Sequence, residues 1–295
     1  MRWIKKQVRS LYRRRLRWFP DRSFSHGHPW VQRCKAGMLE WLNGAPVPMQ
    51  GMQMYLDLPD SLGLRKREIY EPLETAVILQ LVQPGMRVLD LGANIGYYTL
   101  LISRAVGEKG HIWAFEPDPD NFAILQRNLA LNECPNVTPH QMAAGEAPGK
   151  ATLYRSLLNR GDNRLSAGDQ HRNTCEIDIV RIDDVLPSDP IDFVKMDIQG
   201  AEGVALAGMQ ACLDRSPNVQ VLFEYWPEAL REGGTEPEQL LRSLRGKGFR
   251  FYRVDESNKE PLLTSTPIEQ LTDAACVGGV NLLISRQPIS LFRSE

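Results

Sequence analysis

Four carboxylates stand at or near the ends of apolar runs in this 295-residue chain: Asp90 in "RVLDLG", Glu116 in "HIWAFE", Asp197 in "VKMDI" and Glu224 in "LFEYW". At a strand end a carboxylate can take a proton from a reacting group or accept hydrogen bonds from sugar hydroxyls. Asp90 is followed by "GANIG", which sets Gly92 and Gly96 four residues apart. A dinucleotide turn needs glycine at the second position of G-x-G-x-x-G so that the backbone approaches a pyrophosphate; Asn94 stands there instead. An anion at Asp90 would also repel a diphosphate and attract a cationic amino group. Glu116 follows Gly96 by 20 residues, the spacing expected of an acid that binds both ribose hydroxyls. A ribose without phosphates is therefore expected. S-adenosylmethionine meets these demands with its adenosine, amino-acid end and sulfonium.

The elements that must position these groups begin near Tyr70. "YEPLETAVILQLV" reads as a helix with Pro72 in its first turn, where a missing N–H costs little. "RVLDLG" and "HIWAFE" read as strands, followed by helices in "GYYTLLISRAV" and "DPDNFAILQRNLALN". "VTPHQMAAG" reads as a third strand, and two more strands are expected around "ATLYRS" and "EIDIVRID". "IDFVKMDI" precedes a short helix at "AEGVALAGM", and "NVQVLFEYW" is another strand. "TEPEQLLRSLRGKG" carries a capping-box pattern at Thr235 and Glu238, and "FRFYRVD" and "NLLISR" finish the chain as strands. Near-continuous apolar strands alternating with amphipathic helices predict an α/β fold: a doubly wound, mostly parallel sheet with its ligand at the carboxyl ends of the strands.

"VLDLGANIGYYTL", "AFEPDPDNFAILQRNLALN", "VKMDIQGAEGVALAGM" and "LFEYWP" together resemble the successive motifs of the FkbM-type family of class I S-adenosylmethionine-dependent methyltransferases. The resemblance runs from about Glu68 to Arg286. It implies a seven-stranded Rossmann-like sheet whose final antiparallel strand is "NLLISR", and methyl transfer to oxygen on sugars, glycolipids or polyketide-like acceptors. Motif by motif, it implies that Asp90, Gly92, Asn94 and Gly96 line the methionine end and the turn. Glu116 would take the ribose, Pro117 and Asp118 the adenine edge, and Met142 and Ala143 would flank the adenine. Asp197 would face both cofactor and acceptor.

Methyl transfer to a hydroxyl requires nucleophile, methyl carbon and sulfur in line, and a proton acceptor. Positioning supplies on the order of 7–11 kcal/mol; general-base help is worth about 10²–10⁴-fold. Asp197 is expected to orient the acceptor, with Glu224 as its partner. Glu71 in "IYEP" is placed to reach the cofactor, and Asn163 and Arg164 in the polar segment 158–173 to hold an acceptor. No metal is expected, because too few further oxygen ligands accompany the two carboxylates.

The charge distribution divides the chain. Its net charge is −1, yet Met1 to Arg17 holds eight Lys or Arg and no acid, leaving 27 basic against 36 acidic residues elsewhere. On a helix, Ile4, Val8, Leu11, Leu16 and Phe19 share one half and seven of those cations the other, a composition suited to an anionic membrane surface. We therefore expect residues 1–65 to form a basic amphipathic helix and connector, and residues 66–295 the methyltransferase domain. His26 and His28 in the connector read as unliganded loop residues. Five scattered cysteines and the absence of an apolar leader predict free thiols and a cytoplasmic protein, with peripheral contact at the inner membrane face. Three other readings compete. A nucleic-acid methyltransferase would give the arm a purpose, but Asp197-Ile198-Gln199-Gly200 lacks the Pro-Pro-aromatic signature of amino-methylating enzymes, so nucleic acid is not the expected partner. A nicotinamide oxidoreductase is opposed by Asn94. A non-enzymatic, membrane-associated cofactor-binding module is the third.

Overall fold

The computed structural model describes residues 45–57, 60–156, 163–165, 173–255 and 262–289. The basic arm, both connector histidines and most of segment 158–173 lie outside the described residues.

An eight-stranded sheet forms the centre. Its spatial order is Leu262–Ser265, Arg250–Asp255, Val280–Ser285, Gln220–Tyr225, Phe193–Met196, Arg87–Leu91, His111–Phe115 and Val137–His140. The last five in that order are parallel, and Val280–Ser285 inserts antiparallel between Arg250–Asp255 and Gln220–Tyr225. The expected doubly wound sheet is present with one strand more than seven: Leu262–Ser265 pairs antiparallel at the edge. Four residues are too few for a two-residue period to stand out in sequence.

Side chains alternate across the sheet, so each strand feeds two cores. Val88, Phe193 and Leu222 pack with Ile78, Leu100 and Leu125 of the helices on one face. Leu89, Leu91, Val194, Met196 and Phe223 pack with Leu206, Leu213 and Leu241 on the other. Full burial of each such side chain stabilises by about 1.5–3 kcal/mol, which is why these strands read as continuous apolar runs.

"VTPHQMAAG" is not one strand. Val137–His140 stays in the main sheet, while Ala143–Ala144 joins Asn173–Val180 and Gly149–Arg155 in a separate three-stranded sheet. Ala143, Ala144 and Leu153 of this smaller sheet come together with Gly92 and Glu116 at the carboxyl end of the main one. The Thr235 and Glu238 capping box does not form: helix Pro237–Gly246 starts at Pro237 with Glu236 as its cap residue and no side-chain capping bond. Thr235 instead fills space over Gly203, where an added Cβ would lie 2.2 Å from Thr235 Oγ1.

The connector enters the fold earlier than its composition suggests. Val47–Met49 and Met52–Met54 form a hairpin whose turn residues Gln50 and Gly51 have φ of 45° and 79°, the left-handed pair that a tight two-residue turn requires. Asn128 in helix Pro119–Leu131 and Asn132 at its C-terminal cap hold it by imitating a strand. Asn128 Oδ1 accepts the Tyr55 N–H at 2.7 Å and its Nδ2 donates to Tyr55 O at 3.0 Å; Asn132 makes the same pair with Gln53. Met49, Met54, Leu56, Leu62 and Leu64 are buried in the same core as the helices. No described helix is long and apolar enough to cross a membrane. Cys134, Cys175, Cys212 and Cys276 are free thiols.

Candidate active site

Strand Arg87–Leu91 is paired with His111–Phe115 on one side and Phe193–Met196 on the other, so the chain leaves it in one direction and later returns on its opposite flank. Such a switch point opens a crevice at the carboxyl ends of the strands. Gly92 sits at its base with φ +82°, and an added Cβ would lie 2.0 Å from the Asp197 carbonyl oxygen. Only a glycine lets the two strand ends come this close.

Two adjoining clefts occupy the crevice. The first encloses about 640 Å³ of space, open solvent at its mouth included. Phe115, Met142, Ala143, Leu153 and Ile198 supply apolar walls, and Asn94, Glu116 and Pro117 border them. Glu116 is 5% exposed. Its Oε2 accepts the Asn94 N–H at 2.8 Å and its Oε1 the Asp118 N–H at 2.9 Å, so the carboxyl is aimed by the turn after each of two neighbouring strands. Burial, reinforced by Asp118, pushes it up to about 8 against those two N–H donors. Among the described residues no Lys or Arg lines this cleft. Apolar walls and an acceptor-rich carboxylate fit a nucleoside, and therefore the adenosine of S-adenosylmethionine.

The second cleft, about 790 Å³, shares Gly92, Asn94, Asp197 and Gln199 with the first. Glu71, Glu74, Asp197 and Glu224 face it around Lys195. Lys195 occupies the third position of "FVKM" and is only 3% exposed, with Nζ 3.5 Å from Asp197 Oδ2 and 4.7 Å from the Tyr98 ring centroid. Burial alone would lower its pKa; Asp197, Asp90, Glu74 and Glu71 overcome that and raise it. Burial raises Glu74 well above the usual carboxylate range, helped by Glu71, and raises Glu71, helped by Asp197. Glu224 is pushed up to about 8 by burial and then by Asp197, Glu202 and Glu71.

The backbone around this cleft is unusual. Glu71, Asn94 and Gln199 all have positive φ, at 40°, 51° and 54°, and all three border it. Left-handed non-glycine residues need surrounding structure to hold them, and they gather at functional sites. Glu71 is held by a 2.9 Å hydrogen bond from the Tyr98 hydroxyl, and the segment before it by the Tyr97 hydroxyl, which accepts the Tyr70 N–H at 3.1 Å. Gln199 belongs to a turn built by the last acid of "DIQGAE". Glu202 accepts the Ile198 N–H at 3.1 Å and the Gly200 N–H at 2.9 Å, and burial pushes it up to about 7.

The structure thus brings Gly92, Asn94, Glu116, Pro117, Met142, Ala143 and Asp197 to the first cleft, and Glu71 and Glu224 with Asp197 to the second. Four expected residues, Asp90, Gly96, Asp118 and Arg164, border neither. Asp90 is fully buried: its Oδ2 accepts the Thr99 hydroxyl at 2.6 Å, and its Oδ1 has no hydrogen-bond partner. It reaches the crevice only through the field it shares with Lys195. Gly96, at φ +96°, starts helix Tyr97–Val106 behind the turn. Asp118 caps helix Pro119–Leu131 and is bound by Arg155 at 2.6 Å and by Asn163 at 3.1 Å, which leaves it no edge to offer a base. Asn163 lines the first cleft rather than an acceptor site, and Arg164 stacks over Trp226 at 4.6 Å. Lys195, Glu74 and Gln199 were missed as site residues. The signal for Lys195 was available: a lysine within a buried strand is rare unless paired. Among the described residues no group of three or more His, Cys, Asp or Glu side chains could hold a metal ion.

Residues 90–251 match the family model for the Methyltransferase FkbM domain. The chain belongs to the FkbM methyltransferase family. Its core is an S-adenosylmethionine-dependent methyltransferase domain, and the match begins at Asp90 in the strand that opens onto Gly92. The chain is 29% identical to "Methyltransferase 1" of Beauveria bassiana over 147 residues, 41% of this chain and 57% of that protein. It is 28% identical to "Methyltransferase sdnD" of Sordaria araneosa over 199 residues, 56% of this chain and 74% of that one. The first of these matches therefore spans little more than half of the relative's length. Among solved structures, a putative O-methyltransferase from Klebsiella pneumoniae aligns with 12% identity and a TM-score of 0.45, covering 77% of this chain and 84% of that one.

Proposed function

We propose that this FkbM domain transfers the methyl group of S-adenosylmethionine to a hydroxyl of a glycan, glycolipid or secondary metabolite. The observation that carries the reading is the pair Asp197, just past the end of strand Phe193–Met196, and Glu224, in its parallel neighbour Gln220–Tyr225, bordering an acidic cleft that shares a wall with the apolar-walled one. A hydroxyl nucleophile needs a nearby proton acceptor, and these carboxylates are the groups at the seam. When bound, the cofactor supplies a methyl group activated by its sulfonium.

The chain's own residues divide the remaining work. Glu116 accepts the ribose hydroxyls, with Pro117, Met142 and Ala143 against the adenine. Gly92 and Asn94 form the turn beneath the methionine end, and Glu71 stands across from them in reach of the same end. Asp197 orients the acceptor hydroxyl beside Glu224. In their ionised forms the carboxylates of the second cleft, four against the one Lys195, oppose a phosphate backbone near the reacting atom, which favours a polyol acceptor over nucleic acid.

The test is transfer of label from methyl-labelled S-adenosylmethionine into host extract separated into lipid, polysaccharide, RNA, protein and small-molecule fractions. Label is expected in lipid, polysaccharide or small molecules, absent with Glu116→Ala; label confined to RNA or protein would sink the acceptor class. We further propose that residues 1–19 hold this cytoplasmic protein against the inner membrane face. The chain without them is expected to lose sedimentation with anionic vesicles, and undiminished sedimentation would remove the idea.

A further inference from the structure

Gln199 stands between the two carboxylates of the seam. Its Nε2 donates to Asp197 Oδ1 at 2.9 Å and to Glu224 Oε2 at 3.1 Å. In their ionised forms the two carboxylates fix the amide with its nitrogen inward, because a carboxylate oxygen offers a hydrogen bond nothing but a lone pair. Lys195 stands by the remaining oxygen of Asp197, Oδ2, at 3.5 Å. Both oxygens of Asp197 and one of Glu224 are thus engaged, and only Glu224 Oε1 has no hydrogen-bond donor among the described residues. It lies over Gly279, where a Cβ would intrude to 2.8 Å.

The placement of Gln199 is not incidental. Its φ of 54° turns it away from the course of strand Phe193–Met196, and the Glu202 carboxylate bonded to the N–H groups on either side fixes that turn. An acid at position 199 would put a third charge between two others; a shorter amide would not span them.

We propose that Gln199 is a positioning residue that binds Asp197 and Glu224 into one unit and leaves Glu224 Oε1 as the oxygen that takes the acceptor's proton. This rests on the hydroxyl-methylation reading. With Glu224 ionised, the acceptor O–H bond breaks toward Glu224 Oε1 as the acceptor oxygen bonds the methyl carbon. The pair of the broken carbon–sulfur bond stays on sulfur as a neutral thioether, and loss of the proton to solvent resets Glu224. Asp197, Glu202, Glu71, Glu74 and Lys195 are the charged groups around Glu224, with Asn281 opposite it on the antiparallel neighbour.

The test is an infrared titration of the full chain, following the protonated-carboxyl band that Glu224→Gln removes. In the wild type its midpoint is expected near 8. Gln199→Met keeps the length and removes the donor; Gln199→Asn suits a left-handed backbone and is too short to bridge. Losing a hydrogen bond to the charged form raises a carboxyl pKa, so both variants are expected to move the midpoint up by about one pH unit, a tenfold change in proton affinity. Calorimetry with S-adenosylhomocysteine checks that each variant still folds and binds; Gln199 also lines the cofactor cleft, so weaker binding is expected and measurable binding is the requirement. An unmoved midpoint in a variant that still binds overturns the proposal. Loss of S-adenosylhomocysteine binding in both variants overturns it as well, since Gln199 would then hold the cofactor. The midpoint is read without cofactor, so failure of the wild type to bind would count against the function reading alone.

Discussion

Glu116→Ala is expected to weaken S-adenosylhomocysteine binding by about 10²–10⁴-fold. Hydrogen bonds to a charged group contribute roughly 1.5–3 kcal/mol each, and two ribose hydroxyls are at stake, with about 1.4 kcal/mol per factor of ten. The change also strips the acceptor from the Asn94 and Asp118 N–H groups, which loosens both turns of the cleft. Glu116→Gln keeps the shape but turns an NH₂ toward one of those N–H groups, so it should recover little. Isothermal calorimetry decides the matter, and affinity within threefold of wild type would remove Glu116 from the cofactor site. A pH dependence follows. Burial holds Glu116 at about 8 in the free protein, and hydroxyl donors favour its charged form. Binding must therefore release a proton below that pH, with affinity rising toward pH 8 and then levelling. Stability runs the other way. Glu116, Glu224 and Glu202 sit at about 8, 8 and 7, all above their unfolded values, so the folded state holds the extra protons. Their contribution is complete below about pH 4.5 and is lost as pH rises through 7–8. Melting temperature of the free protein should fall across that window, and saturating S-adenosylhomocysteine should offset the fall.

Lys195→Met is expected to be the most destabilising single change in the site, at about 3–5 kcal/mol near pH 8. Removing one partner of a buried ion pair leaves the other charges uncompensated, and here Asp90, Glu74, Glu71 and Asp197 all depend on the one ammonium. Methionine nearly matches the volume, so a cavity contributes little. The loss should shrink as pH falls from 8 to 5, because the raised carboxyls Glu74, Glu71 and Asp90 take up protons earlier than ordinary carboxyls and need no cation once neutral. Urea denaturation at both pH values measures it. An equal loss at pH 5 and pH 8 would mean that Lys195 acts through packing. Adding Glu74→Gln to Lys195→Met should recover part of the stability, because it removes a fully buried charge at no cost in volume.

Much of the domain was legible in the chain because its signals are local. The apolar runs at Arg87–Leu91, His111–Phe115 and Gln220–Tyr225 need both faces buried, and that need shows directly in composition. Pro119 after Asp118 marks a helix start through the geometry of one turn. The Thr235 and Glu238 pattern misled for a related reason: the pattern is local, but Pro237 and the space above Gly203 decided where the helix begins. The hairpin at Val47–Met54 was hidden because its partners are Asn128 and Asn132, more than 70 residues away.

By itself the sequence determined the alternation of strands and helices, the glycine turn after Asp90, the order of the strand-end acids and, through them, the family and its cofactor. Period and turn chemistry reside in neighbouring residues, so a linear reading reaches them. Only the tertiary structure decided what each acid does. Asp90 and Asp118 are spent on Thr99 and Arg155, while Glu116 faces a cleft. Lys195 gathers four carboxylates, and Gln199 bridges to a residue 25 positions on. The charge state and free oxygen of a carboxylate depend on burial and on partners brought in from other strands, and those are set by packing.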